Sequence, residues 1–97
     1  MPDPNKLIIK AAKHGDVAAL KTLLTGDPKL IHARDTDGST PLHCATWKGH
    51  VAAAEFLVQS GADVKATDME GRTPLFHTTF HKAKAVAKIL EPLGETT

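Results

Sequence analysis

The chain has 97 residues, one domain's worth, and a compact globule of that size buries about 60 to 65% of its unfolded surface. Twelve Lys and Arg stand against eleven Asp and Glu, a formal charge of +1, so nothing in the overall charge suggests a nucleic-acid partner, which normally calls for a strongly basic face. Cys44 is the single cysteine, so no internal disulfide holds the fold, and no apolar run reaches the ~20 residues that span a bilayer.

Met1 to Lys6 lacks the basic start and sustained apolar run of a secretion signal, and a soluble, cytoplasmic protein is expected. Asn5 is a plausible N-cap, with Leu7, Ile8, Ala11 and Ala12 behind it as the inner stripe of a helix that Gly15 stops. Asp16 then caps a second helix, Val17 to Leu24, in which Val17, Leu20, Leu23 and Leu24 share a face. Gly26-Asp27-Pro28 breaks this antiparallel pair, Leu30 and Ile31 supply an apolar clamp, and Asp35-Thr36-Asp37-Gly38 reads as a turn whose glycine takes φ > 0.

The next unit is better punctuated. Thr40 is an N-cap with Pro41 at the first helical position, where its missing N–H costs nothing, and the helix runs through Leu42, Cys44, Ala45 and Trp47 to Gly49. A second helix spans about Val51 to Gln59 and ends at Gly61, leading to the turn Asp68-Met69-Glu70-Gly71. A third unit opens at Thr73-Pro74, with helices to about His81 and from about Ala83 to Leu90, before Pro92 and Gly94 end regular structure.

Gly38-Ser39-Thr40-Pro41-Leu42 and Gly71-Arg72-Thr73-Pro74-Leu75 are one phrase at an offset of 33 residues, and Ala33/Ala66, Asp35/Asp68, Asp37/Glu70 and Trp47/Phe80 keep that register. A short helix pair cannot bury its apolar face alone, whereas stacked copies can. The run Thr40-Pro41-Leu42-His43-Cys44-Ala45, followed by Gly49-His50 and Gly61-Ala62-Asp63-Val64, resembles the ankyrin repeat. The resemblance covers about residues 5–94 and implies an all-α solenoid of three helix-turn-helix pairs joined by hairpin-like β-turn loops. A single domain is expected, with an N-terminal capping repeat at about 5–37, a central repeat at 38–70 and a C-terminal capping repeat at 71–97. Leu7-Ile8-Ile9 in place of the Thr-Pro-Leu start, and one extra residue between Leu24 and Ile31, suit an N-terminal cap. Phe76, Thr78 and Lys82 depart from the pattern at the other end, where Lys82, Lys84 and Lys88 suit the polar outer face of a cap.

Chemistry finds little support. His43 has no serine, cysteine or carboxylate partner at suitable spacing, and the resemblance implies that it hydrogen-bonds within its repeat and to the neighbouring turn. His50 is expected to satisfy local backbone groups, and Cys44 to be buried and inert. His77 and His81 stand at i and i+4 on one predicted helix, as metal pairs do, but no further ligands accompany them, so no metal or cofactor is expected.

The resemblance further implies that a partner is bound by the turn tips and the adjoining face of the first helices. The register puts Lys13, Trp47 and Phe80 in one column and His14, Lys48 and His81 in the next, with Trp47 and Phe80 about 10 Å apart. Exposed aromatics beside cations suit a contact surface, although Trp47 could instead fold over and seal the gap between repeats. Thr36, Asp37, Ser39, Met69, Glu70 and Arg72 add the turn tips, while Asp35 and Asp68 are read as stabilising the turns. A monomeric, non-enzymatic module that binds another protein, and neither nucleic acid nor membrane, is therefore expected. The alternatives are an architectural segment of a larger array and a histidine-based metal-binding protein.

Overall fold

A computed structural model describes residues 3–74, which contain four α-helices and one 3-10 helix. Helix α1 is Pro4–His14, α2 is Val17–Gly26, α3 is Pro41–Trp47 and α4 is Val51–Gln59. Among the described residues there is no strand. The helices predicted beyond Pro74, and with them His77, Phe80 and His81, lie outside the described residues.

Helix α1 is capped two residues earlier than the sequence suggested, at Asp3 instead of Asn5. Asp3, in extended conformation, accepts the N–H of Asn5 at 2.9 Å, and Pro4 takes the first helical position, so Asn5 donates to the cap instead of being it. The inner stripe is also rotated: Ile8, Ile9, Ala11 and Ala12 are buried, whereas Leu7 is exposed. At the other end Gly15 sits at φ 67° and its N–H reaches the carbonyls of Ala11 and Ala12. The next residue, Asp16, caps α2 by accepting from the N–H of Ala19 at 3.1 Å. Two residues thus reverse the chain and lay α2 against α1.

Helix α2 extends to Gly26, past the predicted end at Leu24. The expected apolar clamp is a 3-10 helix, Pro28–His32, capped by Asp27 and burying Leu30 and Ile31. Helix α3 begins as expected, with Thr40 accepting the N–H of His43 and Pro41 at its first position. Helix α4 has the bounds its sequence announces.

Packing follows the repeat. Helix α1 lies against α3 and α2 against α4, so each pair stacks on the next. Ile8, Ala12, Leu20, Leu42, Ala45, Ala54 and Leu57 are almost wholly buried between them. The alanines let the helices approach closely, and the leucines and isoleucines supply the apolar area, worth about 25 cal/mol per Å² removed from water.

Two turns of identical construction project beside this stack. Asp35 Oδ1 accepts the N–H groups of Asp37 and Ser39, and Gly38, at φ 76°, donates its N–H to the Asp35 carbonyl. Asp68 Oδ1 likewise accepts from Glu70 and Arg72, and Gly71 closes that turn. The expected turn-stabilising role of both aspartates is met. The turns are joined side by side: the Met69 N–H donates to the Asp37 carbonyl at 3.0 Å, and Arg34 Nη1 donates to the carbonyls of Gly38 and Thr67.

Candidate partner-binding groove

Helix α1, the first turn tip and Lys48, the residue that ends α3, border a hollow of about 730 Å³. Helix α1 contributes Asn5, Lys6, Ile9, Lys10, Lys13 and His14 to its wall, with Asp3 at the cap. Arg34, Asp35, Thr36 and Asp37 form the opposite side, and Lys48 closes one end. Three supports fix this shape, each joining one unit to the next.

The first support is His50. Its Nε2 donates to the Lys13 carbonyl at 2.9 Å, so the imidazole ties α4's start to the end of α1 instead of serving its own loop, as the sequence suggested. A Cβ placed on Gly15 would lie 2.7 Å from the His50 ring, so that close approach needs a glycine as much as the positive φ does. The second is His43, whose Nε2 donates to the Arg72 carbonyl at 2.8 Å while Nδ1 accepts from the Thr40 N–H and hydroxyl. That arrangement assigns the neutral tautomer protonated on Nε2. Burial holds the imidazole below its ordinary pKa of 6.5, outweighing the raising effects of the Arg72 carbonyl and of Asp68. The third is the Arg34 guanidinium, bridging the two turns as described.

Two further ionisable groups, Cys44 and Asp68, are equally structural. Burial pushes the Cys44 thiol up to about 12, which leaves it protonated and unreactive. Desolvation works to raise the Asp68 carboxyl, but the N–H groups of Arg72 and Glu70 and the Arg72 guanidinium, at 2.9 Å, hold it below its ordinary range. Among the described residues no group of three or more His, Cys, Asp or Glu could hold a metal ion. No helix of the described residues is long and apolar enough to cross a membrane.

Of the twelve residues proposed from the register, ten lie among the described residues, and Phe80 and His81 lie outside them. Lys13, His14, Thr36, Asp37, Lys48, Met69 and Glu70 are exposed, and the first five of these line the hollow or its rim. Trp47 is 51% exposed, with the Lys48 ammonium 5.7 Å from its ring centroid, which is cation–π distance. Ser39 is only 8% exposed, because its N–H is drawn into the Asp35 turn, and it is removed from the candidate surface. Arg72 is half-buried and engaged by Asp68 and, at 3.4 Å, by Glu70. Lys6, Ile9 and Lys10 were not anticipated, since the register drew attention to the last turn of α1 alone. The spacing of Lys6, Lys10 and Lys13 at four and three residues was the signal available for finding them.

A family model described as ankyrin repeats in three copies matches residues 7–95. Over 88 residues, 91% of this chain and 20% of the other, the sequence is 39% identical to the serine/threonine-protein kinase VIK of Arabidopsis thaliana. Ankyrin repeat domain-containing protein 49 of Homo sapiens is 37% identical over 64 residues, 66% of this chain and 27% of that one. The probable E3 ubiquitin-protein ligase XBOS33 of Oryza sativa subsp. japonica is 33% identical over 84 residues, 86% of this chain and 16% of the relative. The chain thus spans between 16% and 27% of the length of these relatives. With its 33-residue register, paired helices, hairpin-like turns and the family match together, the chain belongs to the ankyrin-repeat family.

Proposed function

We propose that this chain is a non-enzymatic module that binds another protein through the groove between its inner helices and turn tips, as a monomer of three repeats at about 5–37, 38–70 and 71–97. Ankyrin repeats generally mediate protein–protein interaction. The observation that carries the reading for this molecule is a sizeable hollow lined by Lys48, whose ammonium also lies 5.7 Å from the ring centroid of the half-exposed Trp47, its neighbour in the chain. Aromatic and cationic anchors at a concave surface are the residues on which binding energy concentrates. A cytoplasmic location and a partner that is neither nucleic acid nor membrane complete the proposal.

The titratable groups are used for structure and not for chemistry. His43 and Asp68 spend their hydrogen bonds on the backbone of the turns, and Cys44 is held as a thiol. The kinase and ligase names belong to relatives several times longer than this chain.

The test is capture of proteins from a cell extract by the immobilised chain, compared with Trp47→Ala combined with Phe80→Ala, the second position taken from the repeat register. Loss of the captured proteins, with helical content unchanged, is expected. Capture that survives this pair but is lost on Lys21→Glu, a change on α2 outside the hollow, would move the binding face elsewhere.

A further inference from the structure

We propose that the groove receives an acidic segment of its protein partner, with the partner's carboxylates set against the lysines of α1 and a cationic residue set against Asp37. The inference rests on the reading that the groove is the binding face, and adds to it the chemistry of the occupant.

Lys6, Lys10 and Lys13 follow one another at i, i+4 and i+7 and therefore stand along one side of α1. All three line the hollow, as does Lys48 at one end. Like charges at this spacing repel, and within a monomer one or more would ordinarily be offset by a neighbouring acid. Among the described residues none of these four lysines makes an ion pair; the two ion pairs found there both belong to Arg72. The wall's fifth cation, Arg34, is consumed by the carbonyls of Gly38 and Thr67.

The carboxylates of the hollow do not neutralise the lysines. Asp3 and Asp35 are turned to backbone N–H groups, which hold them at the cap and inside the turn. Only Asp37 presents a carboxylate that no hydrogen bond or ion pair occupies among the described residues, since its backbone alone is engaged. The hollow is therefore polarised, positive along α1 and negative at the turn tip. Five cations against three carboxylates give it a surplus of positive charge, in a chain whose whole formal charge is +1.

This pattern selects among occupants. A nucleic acid carries negative charge at every step and would meet Asp37 with a phosphate. A peptide can interleave acids with neutral residues and place one Lys or Arg at the turn. Ile9 is the single large apolar residue of the wall and is itself buried, so an apolar helix would find little to cover. Complementarity of this kind governs partner choice and association rate, and it weakens with salt.

The probe is a short fluorescein-labelled peptide of alternating Glu and Ser with one Lys near an end, read by fluorescence anisotropy. It is compared with the same peptide carrying Gln for Glu and with a single-stranded oligonucleotide of equal length. The acidic peptide is expected to bind, the Gln peptide to fail, and Lys10→Glu with Lys13→Glu to weaken the acidic peptide about tenfold or more. Asp37→Lys is expected to tighten an all-acidic version of the peptide, a gain that no loss of folding can imitate. Indifference of the acidic peptide to both changes, or tighter binding of the oligonucleotide, would overturn the proposal. If the Lys10 and Lys13 reversals leave Trp47-dependent protein capture intact, the acidic assignment fails while the groove reading stands. If capture is independent of Trp47 and of the lysines alike, the groove reading itself fails.

Discussion

At the scale of single residues, His43 shows how a residue type suggestive of catalysis is committed to structure. Its two nitrogens have opposite roles, Nδ1 accepting from Thr40 and Nε2 donating to the Arg72 carbonyl. Protonation of Nδ1 would set a proton against the Thr40 N–H, and burial already disfavours the charged ring. The native state therefore holds the neutral form below the pH at which the unfolded chain, with a pKa near 6.5, takes up a proton. Stability contributed by His43 is complete above about pH 6.5 and is lost as pH falls through the lower native value. Urea midpoints taken between pH 7.5 and 5 should fall with pH, and His43→Gln should flatten that decline while costing about 2 kcal/mol at neutral pH through the lost long-range hydrogen bond. A wild-type midpoint that rises on acidification over this range would refute the assignment of the neutral tautomer.

At the scale of elements the sequence was unevenly legible. Helices α3 and α4 were readable nearly to the residue because Thr40-Pro41, Gly49 and Gly61 mark their ends by backbone requirements that few residues meet. The start of α1 was misplaced because Asp3-Pro4-Asn5 offers two capping residues, and only the fixed φ of Pro4 decides between them. The burial of Ile9 in place of Leu7 escaped the pattern because three consecutive apolar residues fit a helical face in more than one rotation. His50 was assigned to its own loop because sequence distance hides the Lys13 carbonyl 37 residues away. The loop that joins α1 to α2 is where this long-range packing is most sensitive. Gly15→Ala would bring both the strain of φ 67° and a clash with the His50 ring, and should lower stability by about 1–3 kcal/mol. Ala at Gly26, where nothing lies within 4 Å of the added atom, is the matched control in thermal unfolding and should be nearly neutral. Equal effects at the two positions would show that the His50 contact does not constrain the loop.

Over the whole molecule, each unit holds the next through a small set of directed bonds laid over an apolar stack. His50 to Lys13, Arg34 to Thr67, Met69 to Asp37 and His43 to Arg72 all cross between units, and they set the turn tips in a row beside the inner helices. A linear stack of this kind gains its cooperativity from such interfaces. The repeated residues, Asp35 and Asp68 or Thr40 and Thr73, belong to that frame, so the register found them easily and they carry no information about a partner. Among the differing residues the register pointed to Lys13, His14, Thr36, Asp37, Trp47 and Lys48, all of which are exposed. The stripe of Lys6 and Lys10 emerged once α1 was seen to form a wall of the hollow.

The central claim is that a protein partner sits in this groove, and site-directed photocrosslinking tests it most directly. A photoreactive amino acid placed at Thr36, on the rim of the hollow, is compared with one at Lys21 on α2, both in the full chain and exposed to the same extract. The account predicts that a discrete protein is trapped from Thr36 and that Trp47→Ala abolishes the adduct, with none formed from Lys21. A discrete adduct from Lys21, with Thr36 silent, would contradict it.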